Sequence, residues 1–143
     1  MVFALIAGDA SFNTGVGAAA LALTTRTGAG TDGDSNTAVG TAAMLLNTAG
    51  QDNVAVGTNA LLFNDIGSDN TAVGSFALFN NDDGDFNNAV GRRALFSNTT
   101  GSSNNAFGDF ALSENVDGFG NVAIGHDAMD TNNIRRSEHR RWQ

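Results

Sequence analysis

From Asn36 to Ala128 the chain writes one pattern of polar and apolar positions over and over. An Asn opens each unit; a polar or branched residue, Ala, a branched or aromatic residue and Gly follow, then two variable positions and an Ala-Leu or Ala-Met pair. The glycines Gly40, Gly57, Gly74, Gly91, Gly108 and Gly125 are each 17 residues apart, with no insertion or deletion between them. Asn36, Asn53, Asn70, Asn87, Asn104 and Asn121 keep the same period, as do Asn47, Asn64, Asn81, Asn98, Asn115 and Asn132. A short fixed period of this kind marks stacked repeats, each of which buries its apolar face only against its neighbours. The pattern therefore predicts an all-β parallel β-solenoid of about seven 17-residue coils, counting an earlier core at Asn13–Leu21.

The columns assign roles within a coil. Ala38, Ala55, Ala72, Ala89, Ala106 and Ala123 stand two before the glycine, and Val39, Val56, Val73, Val90, Phe107 and Ile124 one before it. Neighbours on a strand point to opposite faces, and neither column is polar, so a short strand buried on both faces is expected, its Ala side closely approached by another backbone. The Ala-Leu pair is expected to form a second short strand. Asn tolerates the left-handed backbone region and bonds to nearby peptide groups, which suits it to corners and to ladders along the stack. Gly33, Gly50, Gly67, Gly84, Gly101 and Gly118 are expected to supply the remaining turns. Three stretches break the period: residues 1–12 read as a partial coil, an insertion falls within Thr25–Asp32, and residues 134–143 form an Arg-rich tail. The solenoid itself is expected over 13–133.

Composition narrows what such a coil can do. The chain has 18 Gly, no Pro, no Cys and no Tyr, a turn-rich usage with no disulfide. Its net charge of −8 divides into an acidic body, 14 acidic residues against 3 Arg over 1–133, and a tail with 4 Arg and 1 Glu. An acidic surface repels nucleic acid and anionic lipid, so neither is an expected partner of the repeats. No segment approaches the roughly 20 apolar residues that span a bilayer. A thin coil cannot hide Phe63, Phe76, Phe79, Phe96 and Phe110; apolar surface of that extent points to a homo-oligomer, most simply a trimer, joined through small-residue or Phe-bearing faces.

Written as NTAVGxxALxxNxxGxx, the unit resembles the head repeats of YadA-like trimeric autotransporter adhesins, closest at Asn53-Val54-Ala55-Val56-Gly57 and Asn121-Val122-Ala123-Ile124-Gly125. It is also similar to the 17-residue repeats upstream of intramolecular-chaperone domains in phage tail fibres and bacterial surface proteins, which Asn88–Gly101 (NAVGRRALFSNTTG) fits well. The resemblance implies a left-handed β-roll, three chains to a head, on a cell surface or virion. It implies a non-enzymatic module that attaches to host matrix protein or glycan, or alternatively a stiff spacer in a fibre.

Candidate chemistry is sparse. The two His, His126 and His139, lie apart and no Cys is present; His126 falls at an outward position that varies from coil to coil, and no catalytic set or cofactor is expected. Carboxylates gather around glycine turns at Asp65, Asp69, Asp82, Asp83 and Asp85, and oxygen-rich turns are what Ca²⁺ requires. The equivalent turn at Thr99–Ser103 has none, so solvated turn Asp competes with a Ca²⁺ site. Thr41 and Thr58 begin an outward Thr array of the sort an ice-binding solenoid would need, but Ser75, Arg92, Asp109 and His126 continue it. Specific activity is expected in the variable loops and in the side chains beside each glycine. The repeated Asn and Gly are structural.

Overall fold

The computed structural model describes residues 12–23 and 33–131; the partial coil, the insertion, the Arg-rich tail, Asn132 and His139 lie outside that range or, for the first, reach it only at Phe12. Among the described residues there is no helix. Seven strands of three residues, β1 (Thr14–Val16), β2 (Thr37–Val39), β4 (Val54–Val56), β6 (Thr71–Val73), β7 (Asn88–Val90), β8 (Asn105–Phe107) and β9 (Val122–Ile124), form one parallel sheet in chain order. Each pairs in register with the next, Ala38 facing Ala55 and Ala55 facing Ala72. Between Asn36 and Asn121 the chain makes about five complete turns of a β-solenoid.

The second short strand does not form at the Ala-Leu pair. It appears two to three residues after the Met or Leu, at β3 (Leu46–Asn47) and β5 (Phe63–Asn64), and pairs only there. The Ala-Leu segments are turns because their backbone is bent: the residue two after each glycine and the residue four after it are both left-handed, as at Asn59 (φ 57°) and Leu61 (φ 51°) or Phe76 (φ 61°) and Leu78 (φ 48°). A third left-handed residue precedes the opening Asn, for example Asp69 (φ 59°) or Phe86 (φ 57°). The corners thus fall on Leu, Phe, Asp and Arg and not on the repeated Asn. Left-handed backbone costs an L-residue roughly 1–2 kcal/mol, so packing and hydrogen bonding hold these corners against local preference.

That bonding runs right round the coil. In the turn, the amide of Leu61 donates to Ala77 O (2.9 Å) and that of Phe76 to Thr58 O (3.0 Å). Between the second Asn of one coil and the opening Asn of the next, the amides of Asp69 and Phe86 donate back one coil to Gln51 O (3.0 Å) and Ser68 O (3.1 Å). Each coil is therefore laddered to the next through its turns as well as its strands, which satisfies backbone groups that a loop would leave to water.

The interior is narrow. Each complete coil points two Ala, one Leu or Met and two Asn inward, as with Ala72, Ala77, Leu78, Asn70 and Asn81, all fully buried. The Ala face of the strand is thus core. The Val face is outside: Val39, Val56 and Val90 are each 37% exposed and Ile124 is 69% exposed. The strand is buried on one face only, because the opposite wall of the coil covers its Ala side and none of the described residues covers the other.

The Asn side chains are the polar counterpart of that core. In one column the backbone amide of Asn70 donates to Asn53 Oδ1 (2.9 Å), and Asn70 Nδ2 donates to Gly84 O (2.8 Å). In the other, Asn81 Nδ2 donates both to Asn64 Oδ1 (2.9 Å) and to the same Gly84 O (2.8 Å). Two side-chain amides thus converge on one glycine carbonyl, filling both of its lone pairs. This crowding, not backbone freedom, requires the glycine: a Cβ on Gly67 would lie 2.5 Å from Asn81 Nδ2 and 2.6 Å from Gly84 O. The glycines after the strands, Gly125 aside, need both, since Gly57 for example has φ 136° and its Cβ would meet Gly74 O at 2.6 Å.

Candidate functional site

Identical inward residues leave the outward columns to distinguish one coil from another. One residue after the glycine stand Thr41, Thr58, Ser75, Arg92, Asp109 and His126, and two after it Ala42, Asn59, Phe76, Arg93, Phe110 and Asp127. In-register stacking brings consecutive members of a column into contact, so the charged and aromatic residues of the last coils form one continuous patch. Arg92 grips Asp109 with two hydrogen bonds, Nε to Oδ1 (3.1 Å) and the terminal nitrogen to Oδ2 (3.0 Å). These bonds, and then the Coulomb attraction of Asp109, raise the Arg92 guanidinium above its ordinary value. His126 is exposed, as its column predicts, with Nδ1 2.8 Å from Asp127 Oδ2 and Nε2 3.9 Å from Asp109 Oδ2.

Beside this charged column runs an aromatic one. Phe79 and Phe96 lie parallel, 5.1 Å apart with planes 7° from one another, while Phe63 packs edge-on against Phe79 at 5.1 Å. Phe76 joins them, 5.5 Å from Phe79. Arg93 is held among three rings, 5.3 Å from the centre of Phe96, 5.6 Å from Phe110 and 5.9 Å from Phe76. Such contacts favour a fixed guanidinium. Phe76, Phe79 and Phe96 are half-buried against one another and Phe110 against Arg92, Arg93 and His126, so the Phe-bearing face is partly covered within the chain; Phe63 remains 43% exposed.

A cavity of about 370 Å³ opens on this patch. Phe96, Phe110 and Arg93 line one part of it, Glu114, Asp127 and Asp130 another, and the hydroxyls of Ser97 and Ser113 complete it. Its chemistry is stacking, hydrogen bonding and charge.

The acidic turns have a different arrangement. Asp65 accepts a hydrogen bond from Thr48 Oγ1, Asp85 Oδ1 accepts from the amide of Ser68 (2.8 Å), and the Asp82 carbonyl accepts from the amides of Asp65, Ile66 and Gly67. Asp69 takes a left-handed corner and Asp83 is exposed. Among the described residues no three carboxylates or imidazoles are grouped to hold a metal ion. Stacking by 17 residues separates successive turns into columns, and the Asp65 and Asp85 carboxylates bond along those columns to a hydroxyl and a backbone amide.

Sequence reasoning directs attention to the positions beside the glycine and so reaches Arg92, Arg93, Asp109, Phe110, His126 and Asp127. It misses Ser113, Glu114 and Asp130, whose signal is a change within their own columns: Phe79 and Phe96 give way to Ser113 and Asp130. Compared with family models, with curated proteins and with solved structures, the chain matches none.

Proposed function

We propose that this chain is a non-enzymatic structural and adhesive module, a left-handed β-roll that assembles as a homotrimer and presents its variable outward columns for attachment from a cell surface or virion appendage. The observation that carries this reading is the outer face of the sheet. Its two columns, Thr37, Val54, Thr71, Asn88, Asn105, Val122 and Val39, Val56, Val73, Val90, Phe107, Ile124, contain no charged residue, although 15% of the chain is charged. A charge-free strip running the length of a solenoid, apolar throughout its Val39–Ile124 column and mixed Thr, Asn and Val in the other, has the composition of an interface centre. The Ala column, expected at such an interface, is core, and the Phe rings pack largely on one another and on Arg93; the Val strip takes their place as the joining surface. The likeness of the repeat to YadA-like heads and to tail-fibre repeats agrees with this. Backbone bonding around every coil also favours stiffness, which a fibre spacer needs.

Mass by light scattering tests the assembly: three times the 14.7 kDa of one chain is expected. A monomer at every concentration would sink it. Val56→Lys combined with Val90→Lys is expected to leave the β-sheet circular dichroism intact and to yield monomers, since three copies of each lysine would have to be desolvated together.

A further inference from the structure

The column five residues after the glycine reads Leu45, Leu62, Phe79, Phe96, Ser113, Asp130. Its rings stack up the solenoid at 5.1 Å and stop at Phe96, because Ser113 occupies the next rung. The cavity lies at that rung, in the space a third ring would have filled. We propose that it is a saccharide site, and that a neutral pyranose takes the place of the missing ring. This names the ligand class of the attachment surface and so rests on the adhesive reading above.

The groups around the rung match that ligand in shape and in hydrogen bonding. A pyranose is about as wide as a phenyl ring, carries C–H bonds on its faces, and has hydroxyls at its rim that both donate and accept. Phe96 and Phe110 supply apolar surface for the faces. Glu114 and Asp130 have no side-chain hydrogen bond or ion pair among the described residues, and carboxylates accept two bonds at once, as from neighbouring hydroxyls. Ser97 and Ser113 donate or accept as needed, and Arg93, already fixed among its rings, donates. Three carboxylates against one Arg repel an anionic sugar. A cation is disfavoured by Arg93, which stands in the wall between Phe96 and Phe110.

Saturation-transfer NMR of the full chain with the methyl glycosides of glucose, galactose, mannose and N-acetylglucosamine tests this, with sialyllactose and a tetra-arginine peptide as charged comparisons. At least one neutral glycoside is expected to receive transfer, and neither charged probe. Ser113→Phe, which continues a stack the preceding coils already carry, is expected to abolish the signal. The pair Glu114→Gln and Asp130→Asn is expected to weaken binding about tenfold or more, equivalent to about 1.4 kcal/mol, and serves in place of Ser113→Phe if that variant fails to fold. No transfer to any glycoside, transfer that survives Ser113→Phe, or a stronger response from the arginine peptide would overturn the proposal. Light scattering on the same samples separates the two ideas: a trimer without saccharide binding rejects this site alone, and a saccharide-binding monomer rejects the assembly alone.

Discussion

At the scale of the residue, the strongest constraints fall on side chains that do not look special. Leu95 is fully buried with φ 52°, a conformation that branching at Cβ makes much worse. Leu95→Ile is therefore expected to cost about 1–2 kcal/mol more than Leu95→Met, although both conserve volume; urea unfolding of the two variants measures the difference, and equal midpoints would contradict it. Asn81 donates to Asn64 Oδ1 and Gly84 O and accepts from Asn98 Nδ2 at 2.8 Å and Asn87 Nδ2 at 3.4 Å. Asn81→Leu removes all four bonds and orphans buried partners, an expected loss of about 3 kcal/mol or more. Asn81→Asp keeps the acceptor but sets oxygen against oxygen at Asn64 and Gly84, and its stability is expected to improve as pH falls and the carboxyl regains a donor. Gly67→Ala is expected to be more damaging than its permitted backbone suggests, because its Cβ would strike the Asn ladder; only a well-folded Gly67→Ala protein with an unchanged melting midpoint would refute this. The Arg92–Asp109 pair lies on the surface, and surface pairs contribute little. Its sign is nonetheless clear. A guanidinium raised above its ordinary value contributes at every pH below that value and loses the contribution only in strongly alkaline solution.

At the scale of the element, the unit is the coil rather than the strand. Three-residue strands are too short to stand alone, and their hydrogen bonds run only to the coils above and below. Stability should then be a sum of coil and interface terms, and damage should spread from the nearer end. Amide hydrogen exchange checks this: Ala72 and Ala89, at the middle of the stack, are expected to exchange more slowly than Ala123, in the last described strand. The elements legible from periodicity were the seven strands of the main sheet, and their Ala-in direction follows from the narrowness of the coil. The turn at Ala-Leu was not legible. An apolar pair at a fixed period reads equally well as strand or as buried corner, and the left-handed residues that decide between them are Leu, Phe and Arg, which announce nothing locally.

At the scale of the whole molecule, a fixed period sorts outward residues into columns and makes each side of the solenoid uniform in character. One side is charge-free with an apolar Val column, one carries the aromatic and charged patch, and one is acidic. Substitutions on different sides are expected to act independently: Val56→Lys with Val90→Lys should change mass without changing saccharide binding, and Ser113→Phe the reverse. Adding millimolar Ca²⁺ is expected to leave the melting midpoint unchanged, since the turn carboxylates are not gathered and those of Asp65 and Asp85 bond along their columns; a rise of several degrees would restore the Ca²⁺ reading of Asp65, Asp69, Asp82, Asp83 and Asp85.

The 17-residue period alone determined that the chain stacks as parallel coils, because only a structure repeating at that length places Ala on Ala and Asn on Asn at every turn. It also determined which residues could vary, hence where a site could lie. Tertiary structure decided which way each column faces. A strand pattern of apolar neighbours does not say which side the coil closes over, and closure put Ala and Asn inside and left Val outside. Tertiary structure also decided that Ser113 is an opening, since a small residue becomes a cavity only when the rings of Phe96 and Phe110 stand around it.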